Sequence, residues 1–190
     1  MPLDTLQHMV QEEWDFPADV THHLIQPTDI TEIIRVGRLL DPDRVWAAIN
    51  TADASSGLVN VNDTTGQVTF ALTDTTGLKQ VYGHRYTYYL WPDPPAVYVG
   101  GVLVAPANYT WRPFSMSLEF ALPLVASLPL VTVVGHLVDM QEVYARAGNM
   151  LLTKYSQLSN VKGNEFDRLA ANTAKRVAHY NAGIIRRPLR

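Results

Sequence analysis

Apolar and polar positions change their period twice along this chain. Up to about residue 57, and again after residue 134, apolar residues recur every three or four positions, as on one face of a helix; between those points the recurrence shortens toward two, as along a strand. Leu6, Met9 and Val10 share one face of a short helix ending near Glu13. Pro17 and Pro27 then bracket an extended arm, 18–26, whose apolar side chains need another surface to cover them. The arm is expected to cross onto a neighbouring subunit, with Trp14, Phe16, Leu24 and Ile25 in the contact. Two short helices follow. The first is expected to be capped at Thr28 or Asp29 and presents Ile30, Ile33, Ile34 and Leu40; the second starts at Asp41 with Pro42 in its first turn, presents Val45, Trp46 and Ile49, and ends at Gly57. A DNA-binding helix-turn-helix is a poorer reading of this pair than a structural hairpin, because the region has more acids than bases.

Strand-like segments occupy 58–62, 67–72, 84–91, 97–99, 102–104, 109–111, 118–122 and 130–134. Asp63-Thr64-Thr65-Gly66 and Asp74-Thr75-Thr76-Gly77 repeat one turn sequence without repeating its flanks. Residues 116–134 are apolar over nearly the length of a membrane span, but Glu119, Pro123 and Pro129 fit two strands and a turn better than a lipid-exposed helix. From about His136 the helical period returns, with Leu137, Met140, Tyr144, Ala147, Leu151, Tyr155 and Leu158 on one stripe. A loop is expected at 159–164, and then a last helix, capped by Asn164, with Phe166, Leu169, Ala170, Thr173, Val177 and Tyr180 on its apolar face. The pattern predicts an α+β fold with helices at both ends around an antiparallel β sandwich or small barrel. Its parts are an N-terminal arm (1–28), a helical hairpin (29–57), a β insert (58–134), a C-terminal helical pair (135–183) and a tail (184–190).

Composition narrows the chemistry. The 190 residues include no cysteine, which removes disulfides, thiolate metal sites and cysteine nucleophiles. The acidic start lacks the basic and apolar regions of a secretory signal, so the mature chain is expected to begin near Met1 in a reducing cytosol. The net charge of −3 conceals a gradient: residues 1–95 carry 13 acids and 5 Lys/Arg, whereas 96–190 carry 5 acids and 10 Lys/Arg. Such polarity suits a subunit whose acidic end meets a neighbour's basic end, and it equally fits two differently solvated surfaces. No phosphate-binding glycine loop, nucleophile elbow or His-Glu-x-x-His motif occurs. His22 and His23 would face opposite ways in an extended arm, and His84, His136 and His179 have no acid at ligand spacing along the chain. No enzyme, cofactor or metal is expected.

Eight of the 13 Tyr and Trp residues lie between 82 and 111. As a strand, 84–91 would place Tyr86, Tyr88 and Leu90 on one face and Tyr89 and Trp91 on the other. A β core with an amphipathic protein interface is the favoured reading; the alternative is a glycan platform of Tyr86, Tyr88, Trp91 and Trp111 in a carbohydrate-binding or host-recognition module. The tail Ile184, Ile185, Arg186, Arg187, Pro188, Leu189 and Arg190 interleaves apolar and basic residues, which suits docking in a groove on a partner protein. Its three arginines provide at most weak, salt-sensitive contact with DNA.

This order of elements, with the Val97-Tyr98-Val99-Gly100-Gly101-Val102-Leu103-Val104 hairpin, Asn108-Tyr109-Thr110, a long helix and a capped final helix, resembles tailed-bacteriophage head–tail connector proteins over most of residues 29–181. The resemblance implies a non-enzymatic adaptor forming a homo-oligomeric ring, a dodecamer, at the head–tail junction of the virion after assembly in the host cytoplasm. The ring would dock on the portal protein through residues 184–190, extend the DNA channel, meet the next neck or tail protein, and involve no membrane. It also implies ring contacts on the C-terminal helices, including Tyr144, Leu151, Tyr155 and Tyr180. The β insert is larger than in all-helical adaptors, which leaves adaptor, stopper, tail terminator and tail-tip protein open.

Overall fold

A computed structural model describes residues 5–14, 25–57, 59–125, 130–162 and 164–184. The fold is α+β, with helices at both ends of the chain and an antiparallel half-barrel sheet between them. The helices are α1 (Thr5–Glu13), α2 (Pro27–Val36), α3 (Pro42–Ala48), α4 (Thr51–Ser56), α5 (Met140–Lys162) and α6 (Asn164–Gly183). The strands are β1 (Val59–Val61), β2 (Gln67–Asp74), β3 (Val81–Gly83), β4 (Leu90–Val99), β5 (Val102–Leu103), β6 (Tyr109–Arg112), β7 (Ser117–Phe120) and β8 (Val131–Leu137). Two compact units result: a helical unit from Met1–Gly37 and Asp139–Ile185, and a β unit from Arg38–Val138. The boundary falls inside the span expected as one helical hairpin, so α2 belongs to the helical unit and α3 and α4 to the β unit. Within the β unit the Leu39 amide donates to the Leu137 carbonyl (2.8 Å), drawing the chain after α2 into the sheet.

In the helical unit, α1 buries Leu6 and Val10, and α2 buries Ile30, Ile33 and Ile34. The cap of α2 is Gln26, not Thr28 or Asp29: Pro27 takes the first helical position, and the Asp29 carboxylate reaches back to accept from the Gln26 amide (3.1 Å). The long helix begins at Met140 instead of His136, because residues through Leu137 still belong to β8 and buried Asp139 accepts from the Gln141 and Glu142 amides at its start. No loop forms at 159–162; nothing there stops a helix before Gly163, and α5 runs to Lys162. The expected cap and apolar roles of the Asn164 and Phe166 side chains lie outside the described positions. Where α5 crosses α6, Gly148 leaves no space: a Cβ there would lie 2.4 Å from Val177 Cγ2 and 2.6 Å from the Trp14 ring.

In the β unit, strand order is β5–β4–β8–β2–β3–β7–β6, with β1 beside β2, and every pairing is antiparallel. Side chains alternate as expected on β8, where Val131, Val133 and Leu137 are buried. The sheet curls far enough that the Tyr109 hydroxyl on β6 donates to the Pro95 carbonyl on β4 (2.9 Å). Pro92, Pro94 and Pro95 lie along β4, so that strand lacks three backbone donors. The helix expected from 41 to 57 breaks in two: Asn50 is extended, and its side chain accepts from the Ala52 amide (2.9 Å) to start α4. Asp41 caps α3 as expected, and Gly57 at φ +71° ends α4. Trp46 and Leu40, expected inward, are exposed.

Gly148→Ala is expected to lower unfolding stability in denaturant titration. The helix-propensity gain of about 1 kcal/mol is outweighed by overpacking of about 1–3 kcal/mol against Trp14 and Val177; a variant as stable as the parent would show that α6 and Trp14 yield freely.

Candidate functional site

Antiparallel pairing brings the end of β2, the start of β3, the end of β7, the start of β8 and the β4–β5 turn to one end of the sheet, since Leu72 and Val99 both pair with Val131 and Val81 pairs with Glu119. Six large apolar side chains at this end are exposed by 60% or more: Leu78, Val102, Leu103, Leu122, Val125 and Leu130. They form an apolar rim. Its loops are tied to one another, since the Leu124 amide donates to the Lys79 carbonyl (2.8 Å) and the Gly100 amide to the Leu130 carbonyl (2.9 Å). Asp74 anchors the first loop by accepting from the Thr76, Gly77 and Lys79 amides at 2.8–3.0 Å. Desolvation opposes ionisation of Asp74, but these three amides outweigh it and hold the carboxyl below its ordinary range. The other Asp-Thr-Thr-Gly turn is built differently, with Asn62 accepting from the Thr64 and Thr65 amides.

A second constellation lies inside the β unit. The Tyr88 hydroxyl donates to Asp53 Oδ2 (2.7 Å) and accepts from the Asn50 amide (2.9 Å), while Asp53 Oδ1 lies 3.6 Å from His84 Nε2. The side chains of His84 and Asp53 are only 1% and 2% exposed, and Phe70 stacks on Tyr88 at 4.8 Å. Burial first, and then Asp53, push the Tyr88 phenol up to about 12 against the opposing Asn50 amide. A His–Asp–Tyr group so enclosed fastens α4 to the segment after β3. Sequence spacing did not reveal it, because 31 residues separate Asp53 from His84 and only tertiary folding brings them together. The same cluster overturns the expected strand at 84–91. His84 Nδ1 lies 2.9 Å from the Tyr86 carbonyl and 3.2 Å from the Tyr86 amide, which curls residues 84–89 out of the ladder and delays β4 until Leu90.

Tyr86 and Tyr88 therefore share no strand face. Tyr88 turns inward onto Phe70 and Asp53, whereas Trp91 and Trp111 are half-buried on β4 and β6. Of the residues expected at subunit contacts, Trp14, Ile25 and Leu151 are buried in the chain's own helical unit. Arg176 lies over the Trp14 ring at 4.4 Å and, with the Tyr180 hydroxyl, donates to Glu13. Tyr144 and Tyr180 pack together at 5.2 Å and, like Tyr155 and Ile184, are half-buried. Phe16, Leu24, Ile185, Arg186, Arg187, Leu189 and Arg190 lie outside the described residues, as do His22 and His23. Among the described residues no three His, Asp or Glu side chains gather as metal ligands, and no helix is long and apolar enough to cross a membrane. No family model, curated protein or solved structure matches the chain.

Tyr88→Phe leaves Asp53 Oδ2 buried without its donor, and calorimetry should record a loss of about 1–3 kcal/mol; unchanged stability would mean that solvent reaches Asp53. Burial, followed by the Arg38 charge, lowers the His136 pKa. The unfolded chain then binds the extra proton first, so stability should fall as pH drops through about 6.5. His136→Gln should flatten that slope, and an unaltered slope would assign it to other groups.

Proposed function

We propose that this chain is a structural virion protein of a tailed bacteriophage that forms a homo-oligomeric ring at the head–tail junction, docks on the portal and extends the DNA channel toward the tail. The apolar rim at one end of the β unit carries the reading. Six exposed leucine and valine side chains gathered at one end of the sheet, on loops tied by cross-loop hydrogen bonds, suit a surface that another protein covers. The charge gradient along the chain is compatible with repeated contact between copies. The burial of His84 and Asp53 favours a non-enzymatic role, since those two side chains are shut away from solvent. In this reading the rim meets the next neck or tail protein and residues 184–190 engage the portal.

The test is mass measurement of the full chain, alone and mixed with a portal ring. The chain should form a ring and bind the portal, and deletion of residues 184–190 should abolish portal binding while circular dichroism stays unchanged. Leu122→Asp with Val125→Asp should spare portal binding and abolish capture of the next component. A chain that neither self-associates nor binds a portal overturns the proposal. So does saturable glycan binding lost in Trp91→Ala, which would favour the receptor module.

A further inference from the structure

The helical unit holds a groove of about 640 Å³ between α2 and α5. Ile33, Val36 and Met150 give it an apolar floor, and its two lips differ in charge: α2 contributes Asp29 and Glu32, while α5 contributes Arg146 and Lys154. A groove acidic along one lip and basic along the other selects an occupant with the reverse polarity. The outward side of α6 answers the acidic lip with bases. Thr173 and Val177 face inward, whereas Ala171, Ala174, Ala178 and Ala182 are exposed along the opposite side. At 3.6 residues per turn, Arg168 and Lys175 flank these alanines on one side, while Asp167 falls among them. Alanines also let two helices approach closely enough for the apolar floor to be covered.

We propose that α6 of one copy lies in the α2–α5 groove of the next, with its alanines over the apolar floor and Arg168 and Lys175 against Asp29 and Glu32. The groove and α6 are different surfaces of the same unit, and α6 packs on its own α5 through its opposite face. The contact is therefore head-to-tail and repeats from copy to copy, as a closed ring requires. Glu32 already holds an exposed ion pair with Arg35, so the new pairs share that charge and weaken with added salt. The inference rests on the ring-forming reading and names the contact that builds the ring.

The experiment is sedimentation velocity of the full chain over a range of concentrations. Asp29 is spared because it holds the start of α2; the groove is altered by Glu32→Lys and the helix by Lys175→Glu, with Arg168→Glu as a second helix variant and circular dichroism as the folding control. Each single variant should weaken self-association about tenfold or more. Glu32→Lys combined with Lys175→Glu in one chain should restore it. Parent and single variants that assemble equally well would overturn this contact and leave the ring standing, as would a folded double variant that is not rescued. A parent chain that stays monomeric throughout would overturn the contact and the ring together.

Discussion

The pairing of β8 on both of its edges is the constraint on which the β unit depends. Residues 67–72 of β2 hydrogen-bond along one side of it, and β4 runs along the other from Leu90 to Val99. An apolar strand in that position has no water for its amides and carbonyls, and each one left unpaired would cost about 1–3 kcal/mol. Neighbouring strands are thereby held in one register, with Val131, Val133 and Leu137 on the buried face. Even the irregular part of β4 fits against it. The ladder shifts register between Trp91 and Ala96, and Gly135 leaves room for the Trp91 carbonyl, which would stand 2.9 Å from any Cβ.

The helical unit answers a different need. Its long helices can only meet where side chains are absent or interlock, and Gly148 provides the absence while Trp14, Val177 and Tyr180 provide the interlock. Glu13 and Arg176 then fix α1 to α6 from 163 positions away in the chain. In both units the groups with strong geometric demands, Glu13 with Tyr180 and Asp53 with Tyr88, link elements distant in sequence.

What could be read from the sequence follows from the range of the forces involved. The helical stripe from Met140 to Tyr155, the Pro42 start of α3, the Gly57 stop and the alternation of β8 are local consequences of residue spacing, and the structure reproduces them. Boundaries moved where a competing partner came from afar. Leu137 was drawn into the sheet by Leu39 and Leu90, and Tyr86 left the ladder because His84 took its backbone. Trp14 illustrates the same limit: a lone aromatic before a proline-rich arm has no local partner, yet α6 supplies two. The Asp53–His84 pairing was illegible for want of any spacing rule, and the rim was illegible because its exposed leucines and valines look, one by one, like core residues.

The prolines of β4 have a consequence for the chain in a crowded cell. A free sheet edge ordinarily invites any passing extended segment to add itself, and the addition can propagate into fibrils. With Pro92, Pro94 and Pro95 on β4, a newcomer would find carbonyls but too few amides to answer its own, and the seed would fail after a residue or two. Along that stretch of β4, therefore, strand addition is closed off, and the encounters that last there are those between side-chain surfaces.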